Sequence, residues 1–579
     1  MKRVLATSSV LGILLFTPVL SRAQLSGSYT IGGHSPDYTT FAEAVASLEA
    51  SGVSGSVEFL VRPGVYEEAG GTERVVDIAN PVPGASDANA ITFRPDPAAG
   101  ASSENIILRR SSGVTDGGSD GYIARIRSGF VHLEKLTFVV ADSSFAPTDH
   151  GPEHVGPVIE FEYPGIGLTN AVSLSGSVIE GFEGRCFLGV GVNGAGRDVR
   201  IVDNHIRDCR DAIGVYGGTA ENALVSGNEI RGLRRWFSGQ SEWRGDGIRV
   251  QGSGSGMTVS GNDIEYDPWT NGGVRGIVVQ GTPKNILVEG NRVAGNRVGG
   301  SFGSYTNMYI READGGLIAN NMLTSAATTS FGRVNIGLYL LTTQNLKVLH
   351  NTVNLGASGG RAIHLDGTGH EIVDNILANV TGPSLFIGDG QSAQNVFDYN
   401  VLHSGSPTLV REGFTTYATL EAWQQTGNGQ NSVQKLPEFR ARLSDLHLAD
   451  CSVEDESLRG TPQPEVMLDY DGELRDLFNP FIGMDEAAGE VPDLFGVPSN
   501  YASGKSSWRF ASGDLDGDGD QDLAVSNTPS GSDDVTVLWN DGSGVFSSPT
   551  HLNVGSDPGV VKIAYMDNDN IKDLVVSVT

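Results

Sequence analysis

The sequence has few cysteines, few positive charges and no long apolar run beyond its first residues. Three cysteines in 579 residues are too few for a fold held together by many disulfides. Lysine and arginine number 39 against 69 aspartates and glutamates, and the resulting net charge of −30 argues against binding to nucleic acid. Because no segment after residue 23 is apolar enough to cross a bilayer, we expect no transmembrane segment.

The N-terminus has the pattern of a bacterial signal peptide. Lys2 and Arg3 precede an apolar stretch from Val10 to Leu20, and Ser21-Arg-Ala23 forms a small-x-small cleavage site. We therefore expect cleavage after Ala23 and a protein that is secreted, either extracellular or at the cell surface.

The chain does contain many glycines, 78 in all, and a short phrase that recurs through its middle. The phrase reads apolar, two residues, Asn, one residue, apolar, and its copies lie 24 to 34 residues apart. Its asparagines are Asn204, Asn228, Asn262, Asn291, Asn321, Asn351, Asn375 and Asn400. The apolar spacing of two indicates strands, and such a repeat predicts stacked rungs of a parallel β-helix. Asparagine suits the turn because it tolerates left-handed backbone angles, and stacked side-chain amides can hydrogen-bond along the column.

Two of the cysteines lie about one repeat apart. Cys186 and Cys209 are separated by 23 residues, so they could stack on neighbouring rungs and form a disulfide after export. Two buried thiols are the alternative.

The layout resembles the secreted right-handed parallel β-helix proteins of bacteria, the pectate-lyase-like superfamily. Besides the asparagine phrase, the resemblance rests on Tyr29-Thr-Ile-Gly-Gly33, Pro63-Gly-Val-Tyr66 and the closing Asp469-Tyr-Asp-Gly472, Arg475 and Ile482-Gly-Met-Asp-Glu486. It implies an all-β fold built on a right-handed parallel β-helix solenoid. The acidic loops at 514–522 and 567–573 resemble FG-GAP/VCBS repeats and imply a partial β-propeller-type region after the solenoid. The superfamily contains lyases, hydrolases, epimerases and non-enzymes, so the resemblance implies the fold more closely than the function.

The expected domain boundaries follow from the end of the repeat and from shifts in composition. They are a signal peptide at 1–23, an N-terminal cap with a short helix at 24–55, the β-helix at 56–410, a C-terminal cap region at 411–490 and FG-GAP/VCBS repeats at 491–579. A propeller needs four or more blades and fewer than two are present, so we expect either a truncated product or repeats that pair with another chain.

One half of each repeat varies in length, and insertions in a solenoid collect on its binding face. The inserted loops 231–246, 265–275, 294–307 and 324–335 carry a summed charge of +3 in this acidic chain. They hold three of the six tryptophans. Arginine and flat rings are suited to sugars that carry carboxylate or sulfate. The alternative is that the rings form a small satellite core under the loops.

Outward residues of a recurring second strand are expected to line up beside these loops. The first column would contain Gly214, Arg249, Val278, Tyr309, Gly337 and His364, and the second Tyr216, Gln251, Gln280, Arg311, Tyr339 and Asp366. The candidate substrate-binding residues are Arg234, Arg235, Trp236, Trp243, Arg249, Trp269, Arg275, Tyr309, Arg311, Tyr339 and His364.

No catalytic residue can be named from the sequence. The acidic motifs of pectin hydrolases and the Arg-x-Pro-x-x-Arg signature of pectate lyases do not occur in the repeat region. A lyase of another type needs a base, for which Arg249, Arg311 or His364 would be candidates. The sequence therefore predicts a protein that binds extracellular, anionic polysaccharide or glycan. A polysaccharide lyase or related carbohydrate-active enzyme, or a non-catalytic surface adhesin, are the alternatives.

The C-terminal region contains an acidic loop with the spacing of a calcium site. Asp514, Asp516, Asp518 and Asp522 stand at positions 1, 3, 5 and 9, and Asp520 would supply its backbone carbonyl at position 7. The loop and its flanking strands resemble FG-GAP repeats of integrin-type propellers, where such loops join two strands of a blade. A second copy retains Asp567, Asp569 and Asp573, so we expect Ca²⁺ as cofactor and weaker binding at this copy.

Overall fold

The structure is a computed structural model that divides into two compact units, Met1–Gly489 and Glu490–Thr579. It describes residues 23–68, 73–110, 123–141, 155–163, 169–181, 186–233, 245–266, 274–295, 305–325, 334–356 and 360–486, and most of 501–578. Of the expected signal peptide, only Ala23 lies among the described residues. Within the described part of the chain, none of the helices has the length and apolar character that a bilayer crossing requires.

The first unit is a solenoid whose rungs each contribute strands to three faces. Face A, which precedes the ladder asparagines, consists of Leu25–Ile31, Val53–Val61, Ile91–Pro95, Val131–Glu134, Ser173–Ser175, Arg200–Val202, Leu224–Ser226, Thr258–Ser260, Lys284–Glu289, Asp314–Ala319, the second half of Ile336–Leu349, Glu371–Val373 and Val396–Asp398. Successive strands of this face pair in parallel, as expected when each returns one rung later.

Face B follows the ladder asparagines and is a 13-stranded sheet. Its strands are Gly64–Tyr66, Ile106–Arg110, Thr137–Val140, Val178–Glu180, His205–Arg207, Glu229–Leu233, Asp263–Tyr266, Arg292–Gly295, Met322–Ser325, Thr352–Leu355, Ile376–Asn379, Val401–Ser404 and Val433–Gln434.

Face C lies between face B and the next strand of face A. Its strands are Val76–Ile78, Ala124–Ile126, Val155–Glu162, Cys186–Asn193, Cys209–Tyr216, Gly245–Gln251, Val274–Gln280, Tyr305–Arg311, the first half of Ile336–Leu349, Arg361–Thr368, Leu385–Ile387 and Val410–Glu412. The inserted loops connect face B to face C, and their central residues 234–244, 267–273, 296–304 and 326–333 lie outside the described residues.

Inward side chains of the three faces form one continuous hydrophobic core along the solenoid. Both ends of this core are covered. At the N-terminal end, the helix Phe41–Ser51 buries Phe41, Ala44, Val45 and Leu48, and Thr40 caps it by accepting from the Glu43 amide at 3.2 Å. Open strand edges invite pairing with other chains, and the helix covers the first of them.

At the other end the chain reverses. The strand Thr415–Tyr417 pairs antiparallel with Val410–Glu412, and the helix Leu420–Gln424 places Trp423, which is fully buried, in the core. The remaining short helices of the described residues are Pro97–Ala99, Ser392–Gln394, Asp450–Val453 and Glu456–Leu458.

Residues 436–486, expected to belong to a terminal cap, instead lie along the side of the solenoid. Their apolar residues, including Phe439, Leu446 and Phe481, pack on Met322, Ile376 and Val401 of face B. Two of their short strands, Phe439–Ala441 and Asp445–Leu448, pair with each other antiparallel. The reason is that face B exposes apolar outward residues in these rungs, so the segment gains more burial there than at the end of the core.

The ladder asparagines form the predicted hydrogen-bonded column. Asn291 shows the pattern: its Oδ1 accepts from the Asn262 backbone amide at 3.1 Å and from Asn262 Nδ2 at 2.9 Å. Its Nδ2 donates to the Val259 carbonyl and to Asn321 Oδ1, both at 2.9 Å. The same pairing extends to both ends of the column. At one end the Ser177 backbone amide donates to Asn204 Oδ1, and at the other the Asn400 backbone amide donates to the Ser432 hydroxyl oxygen.

The expectation that asparagine itself takes the left-handed conformation is wrong. Positive φ belongs to the residue before each ladder asparagine, namely Asp203, Gly227, Gly261, Gly290, Asn320, His350, Asp374 and Tyr399. The asparagine that follows is buried, and its amide hydrogen-bonds to backbone groups that the turn would leave unpaired.

The second unit is entirely antiparallel among its described strands. Ser507–Gly513, Asp522–Asn527, Asp534–Leu538 and Thr550–Asn553 form a four-stranded sheet, and Val561–Ala564 pairs with Asp573–Val576. A small core of Ala524, Val535, Val537 and Val561 holds the two sheets together.

We expect the substitution Asn291→Ala to lower the free energy of unfolding by about 2–4 kcal/mol, because it leaves buried backbone groups of the neighbouring rung without partners. Urea denaturation followed by circular dichroism measures this. Asn479→Ala, at an exposed asparagine, is the control and should change stability little. If the two variants had the same free energy of unfolding, the asparagine ladder would not stabilise the fold as inferred.

Candidate functional site

Parallel pairing places one outward residue of each face C strand directly over the next. We call this row the central column, and its residues are Asp77, Arg125, Glu160, Gly191, Gly214, Arg249, Val278, Tyr309, Tyr339, His364, Phe386 and Arg411. The column therefore begins with charged residues, continues through two glycines, Arg249 and Val278 to a row of rings, and ends at Arg411.

The expected columns had one rung in the wrong register. Gly337 was expected in line with Tyr309 and His364, but Tyr339 takes this place. Gly337 faces the interior, where an added Cβ would come 2.3 Å from the Val353 side chain and 2.7 Å from the Ala362 carbonyl oxygen. Each rung here places two successive residues inward, a bend that a strict period of two does not predict.

Four rings of the central column contact one another along the solenoid. The Tyr309 and Tyr339 ring centres are 5.3 Å apart, and Tyr339 stacks on His364 at 4.3 Å with an angle of 5° between the planes. The His364 and Phe386 rings meet edge to face at 4.6 Å. All four rings are half-buried, so one side of the row is accessible.

Arginines contact both ends of this row. Arg275 lies over Tyr309 with 5.5 Å between its guanidinium carbon and the ring centre. Arg361 and Arg411 lie over Phe386 at 3.6 Å and 5.0 Å. We call the seven residues Arg275, Tyr309, Tyr339, Arg361, His364, Phe386 and Arg411 the strip.

The arginines at the two ends differ in their partners. Arg275 donates to both Asp246 oxygens, at 2.7 Å and 2.9 Å, and Arg249 also donates to this buried carboxylate. Asp246 in turn receives support from Asp211, whose Oδ1 accepts from the Asp246 backbone amide at 2.7 Å. Among the described residues, by contrast, neither Arg361 nor Arg411 has a carboxylate within ion-pair distance. The strip thus has uncompensated positive charge at its Phe386 end.

His364 is neutral near pH 7. Burial, with a further contribution from the adjacent Arg361, lowers its pKa to about 4. One nitrogen of Arg361 lies 2.9 Å from His364 Nδ1, so the neutral ring accepts a hydrogen bond from the guanidinium.

A row of polar residues lies beside the central column. Gln280 donates to Gln251 at 2.9 Å, and Asp366 accepts from Gln391 at 2.9 Å. Arg311 belongs to this row, is exposed and pairs with Glu312 at 2.8 Å. Tyr216 lies nearest the central column: an added Cβ on Gly214 would come 2.3 Å from its ring, so only glycine permits this close approach.

The structure brings five of the predicted binding residues together: Arg249, Arg275, Tyr309, Tyr339 and His364. Arg311 lies one row away. The others, Arg234, Arg235, Trp236, Trp243 and Trp269, lie outside the described residues. Two rings of the predicted loops, Tyr266 and Tyr305, are 2% exposed and belong to the main core of the solenoid, not to a separate satellite core under the loops.

Sequence reasoning missed Arg361, Phe386, Arg411 and Asp246. For Phe386 and Arg411 a signal existed, since counting one rung further from His364 reaches Phe386 and the next rung reaches Arg411. Asp246 has no comparable signal, because only the parallel register places it beside Arg275 of the next rung.

The backbones of Cys186 and Cys209 pair in register on neighbouring strands. The side chain of Cys186 lies outside the described residues, and the Cys209 sulfur is buried, 3.7 Å from the Arg207 carbonyl. The disulfide remains a prediction.

The acidic loop of the second unit joins two antiparallel strands, as expected. Its residues Asp514, Asp516 and Asp522 bring carboxylate oxygens within 4.8 Å of one another. Buried Asp522 fixes the loop by accepting from the Leu515 and Asn540 amides at 2.8 Å and 2.9 Å. The loss of hydration, together with neighbouring Asp518 and Asp522, raises the pKa of Asp516, as expected where carboxylates crowd.

Asp518 and Asp520 are not within this group of three. Asp518 instead accepts from the Asp520 amide at 2.9 Å. In the second copy, Asp573 accepts from the Met566 amide at 2.8 Å, which repeats the Asp522–Leu515 contact at the same distance. Asp567 and Asp569 lie outside the described residues. Three close hard oxygens at the first loop fit a Ca²⁺ ion, and the cofactor remains a prediction.

Comparison with known families agrees with this architecture. Residues 188–410 match the family described as "Right handed beta helix region", and residues 514–576 match an "FG-GAP-like repeat". The chain contains a right-handed parallel β-helix and an FG-GAP-like repeat. No curated protein matches the sequence.

Several solved structures are similar to the chain at low identity. XylC in complex with xylose is 10% identical, covering 80% of this chain and 98% of that one, with a TM-score of 0.46. The periplasmic alginate epimerase AlgG is 13% identical over 62% and 76%, with a TM-score of 0.35. PfbA, a surface adhesin of Streptococcus pneumoniae, is 11% identical over 64% and 84%, with a TM-score of 0.30.

The depressed pKa of His364 should make the β-helix less stable as the pH falls. Between pH 6.5 and about 4, the unfolded imidazole takes up a proton that the folded one does not, so the free energy of unfolding declines through this window. His364→Gln should therefore flatten the curve of melting temperature against pH there. His205→Gln, at an exposed histidine of face B, is the control. If the curves of melting temperature against pH were parallel for wild type and His364→Gln, the depressed pKa would not belong to His364.

Proposed function

We propose that this protein is exported and binds anionic polysaccharide lengthwise along the strip on face C. The observation that carries the proposal is the row of four half-buried rings that ends at Arg361 and Arg411, two arginines without a described carboxylate partner. Flat rings offer apolar surfaces on which sugar faces pack, and guanidinium groups bind carboxylate or sulfate in a bidentate manner.

A polymer suits the geometry better than a small ligand. The rings follow one another along the solenoid at the spacing of the rungs, so the site is a row on a sheet and not a closed pocket among the described residues. Binding energy is then spread over several sugar units, each of which contributes little. The arrangement also explains the position of the insertions, because they connect face B to face C beside this row.

The described residues favour binding over bond cleavage. Each of the candidate bases is already engaged: Arg249 donates to Asp246, Arg311 pairs with Glu312, and neutral His364 accepts from Arg361. A lyase base must be free to take a proton from the sugar ring. We therefore propose a binding protein, with a polysaccharide lyase as the outcome to exclude by assay.

We also propose that the FG-GAP-like loop at 514–522 binds Ca²⁺. Asp514, Asp516 and Asp522 would supply carboxylate oxygens, and the ion would neutralise their mutual repulsion. The ion would thereby stabilise the turn between the strands Ser507–Gly513 and Asp522–Asn527.

Replacing Arg361 and Arg411 by glutamine should weaken binding to polyuronates by at least about tenfold, because each guanidinium–carboxylate contact is worth about 1.5–3 kcal/mol. Biolayer interferometry against immobilised polygalacturonate and alginate measures this, with a neutral glucan as reference. The wild-type affinity should fall as salt rises, since exposed charges are screened.

Arg311→Gln is the matched control, because Arg311 is an exposed arginine of the same face that pairs with Glu312 outside the strip. Its polyuronate affinity should stay close to that of the wild type. Equal binding by wild type and the Arg361/Arg411 variant would refute the strip as the site. Release of unsaturated oligosaccharide, seen as ultraviolet absorbance, would identify a lyase instead.

Asp516→Asn should weaken Ca²⁺ affinity by about tenfold or more, because affinity in oxygen cages follows the number of charged ligands. Isothermal titration calorimetry measures the affinity, and melting with and without EDTA measures the stability of the second unit. Asp450→Asn, in the first unit, should leave both unchanged. Calcium binding that is insensitive to Asp516→Asn would exclude this loop.

A further inference from the structure

Residues 436–486 of the first unit contain a second group of metal-ligand side chains, which shares no residue with the strip on face C or with the acidic loop at 514–522. His447 of the strand Asp445–Leu448, Asp471 and Asp485 bring one ligand atom each within 4.8 Å of one another. The three residues come from separate parts of the segment that packs on face B.

The orientation of His447 is set by a neighbouring carboxylate. Its Nδ1 lies in hydrogen-bond contact with Asp445 Oδ1. When Nδ1 carries the proton of a neutral imidazole, the lone pair of the other nitrogen, Nε2, is left to bind a metal. A carboxylate on the distal nitrogen is the usual support of a metal-binding histidine.

Nε2 is buried and has no hydrogen-bond partner among the described residues, although Asp471 Oδ2 is 2.9 Å away. A lone pair that faces a carboxylate oxygen at this distance is repelled unless a positive charge lies between them. That charge is either a proton on Nε2 or a metal ion.

Asp485 makes the metal the better explanation. Its carboxylate is 6% exposed, and its Oδ2 accepts from the Leu448 amide at 2.7 Å. A proton on Nε2 can form a hydrogen bond to only one carboxylate oxygen. A divalent ion can be coordinated by the imidazole and by both carboxylates. Tetrahedral Zn²⁺ with bonds of about 2.0–2.1 Å holds its ligand atoms about 3.3 Å apart, so small side-chain movements close the site.

We propose that His447, Asp471 and Asp485 bind a divalent transition-metal ion of the zinc class, with Asp445 as the positioning residue for His447. One nitrogen and two oxygen donors select zinc-like ions over Ca²⁺, which takes oxygen ligands. The ion would connect the strand Asp445–Leu448 to the Asp471 turn and to the Asp485 segment, and so fasten the chain that covers face B. This inference is independent of the proposed glycan strip.

The test uses the full chain, stripped with EDTA and then kept in excess Ca²⁺ so that the acidic loop at 514–522 does not take up zinc. Calorimetric titration with Zn²⁺ and metal analysis should show one zinc per chain at this site, and Co²⁺ should give visible absorption bands. His447→Gln and Asp471→Asn should each weaken zinc binding by at least about tenfold. Asp471 is exposed, so its substitution leaves the fold intact.

His205→Gln, which removes another histidine that contacts a carboxylate, is the control and should retain the zinc. Zinc binding that is unchanged in both site variants would overturn the proposal. The proposal would also be overturned if the wild-type protein bound no zinc and nuclear magnetic resonance showed protons on both nitrogens of His447.

Discussion

The buried amide ladder is the interaction on which the rest of the solenoid depends. Between Asn204 and Asn400 each rung turns from face A to face B, and the turn leaves backbone amides and carbonyls inside the core. One asparagine per rung satisfies these groups and also the side chain of the next asparagine. Because successive residues of a strand face opposite sides, a slip of one residue would turn the core outward. The ladder therefore fixes the register of all three faces.

A fixed register makes a linear site possible on face C. Outward residues from distant parts of the sequence fall into one row, so that Tyr309, Tyr339 and His364 contact one another although each belongs to a different rung. Charge is distributed unevenly along this row. At Arg275 it is compensated by buried Asp246, whereas Arg361 and Arg411 have no carboxylate of the described residues within ion-pair distance.

Segments outside the rungs rely on acidic side chains in a different way. In the second unit, Asp522 orders its loop through backbone amides, and Asp573 repeats the contact in the next copy. Along face B, Asp485 is buried beside His447. In both places carboxylates lie close together, and a bound cation would offset their repulsion.

The sequence by itself determined the β-helix, the asparagine column and the strand–loop–strand arrangement of the acidic loop. These depend on local patterns: a period of two, one asparagine per rung and a spacing of aspartates. It also located the variable half of each rung and five residues of the face C site. It placed Gly337 in the wrong column, because a bend with two successive inward residues interrupts the period of two.

Only the tertiary structure decided which residues meet across rungs. Asp246 meets Arg275, Arg361 lies over Phe386, and His447 faces Asp471 and Asp485, because strand register and chain packing bring together residues that no local pattern connects. It also decided that residues 436–486 cover the side of the solenoid, since the apolar outward residues of face B become visible as a surface only when the rungs are stacked.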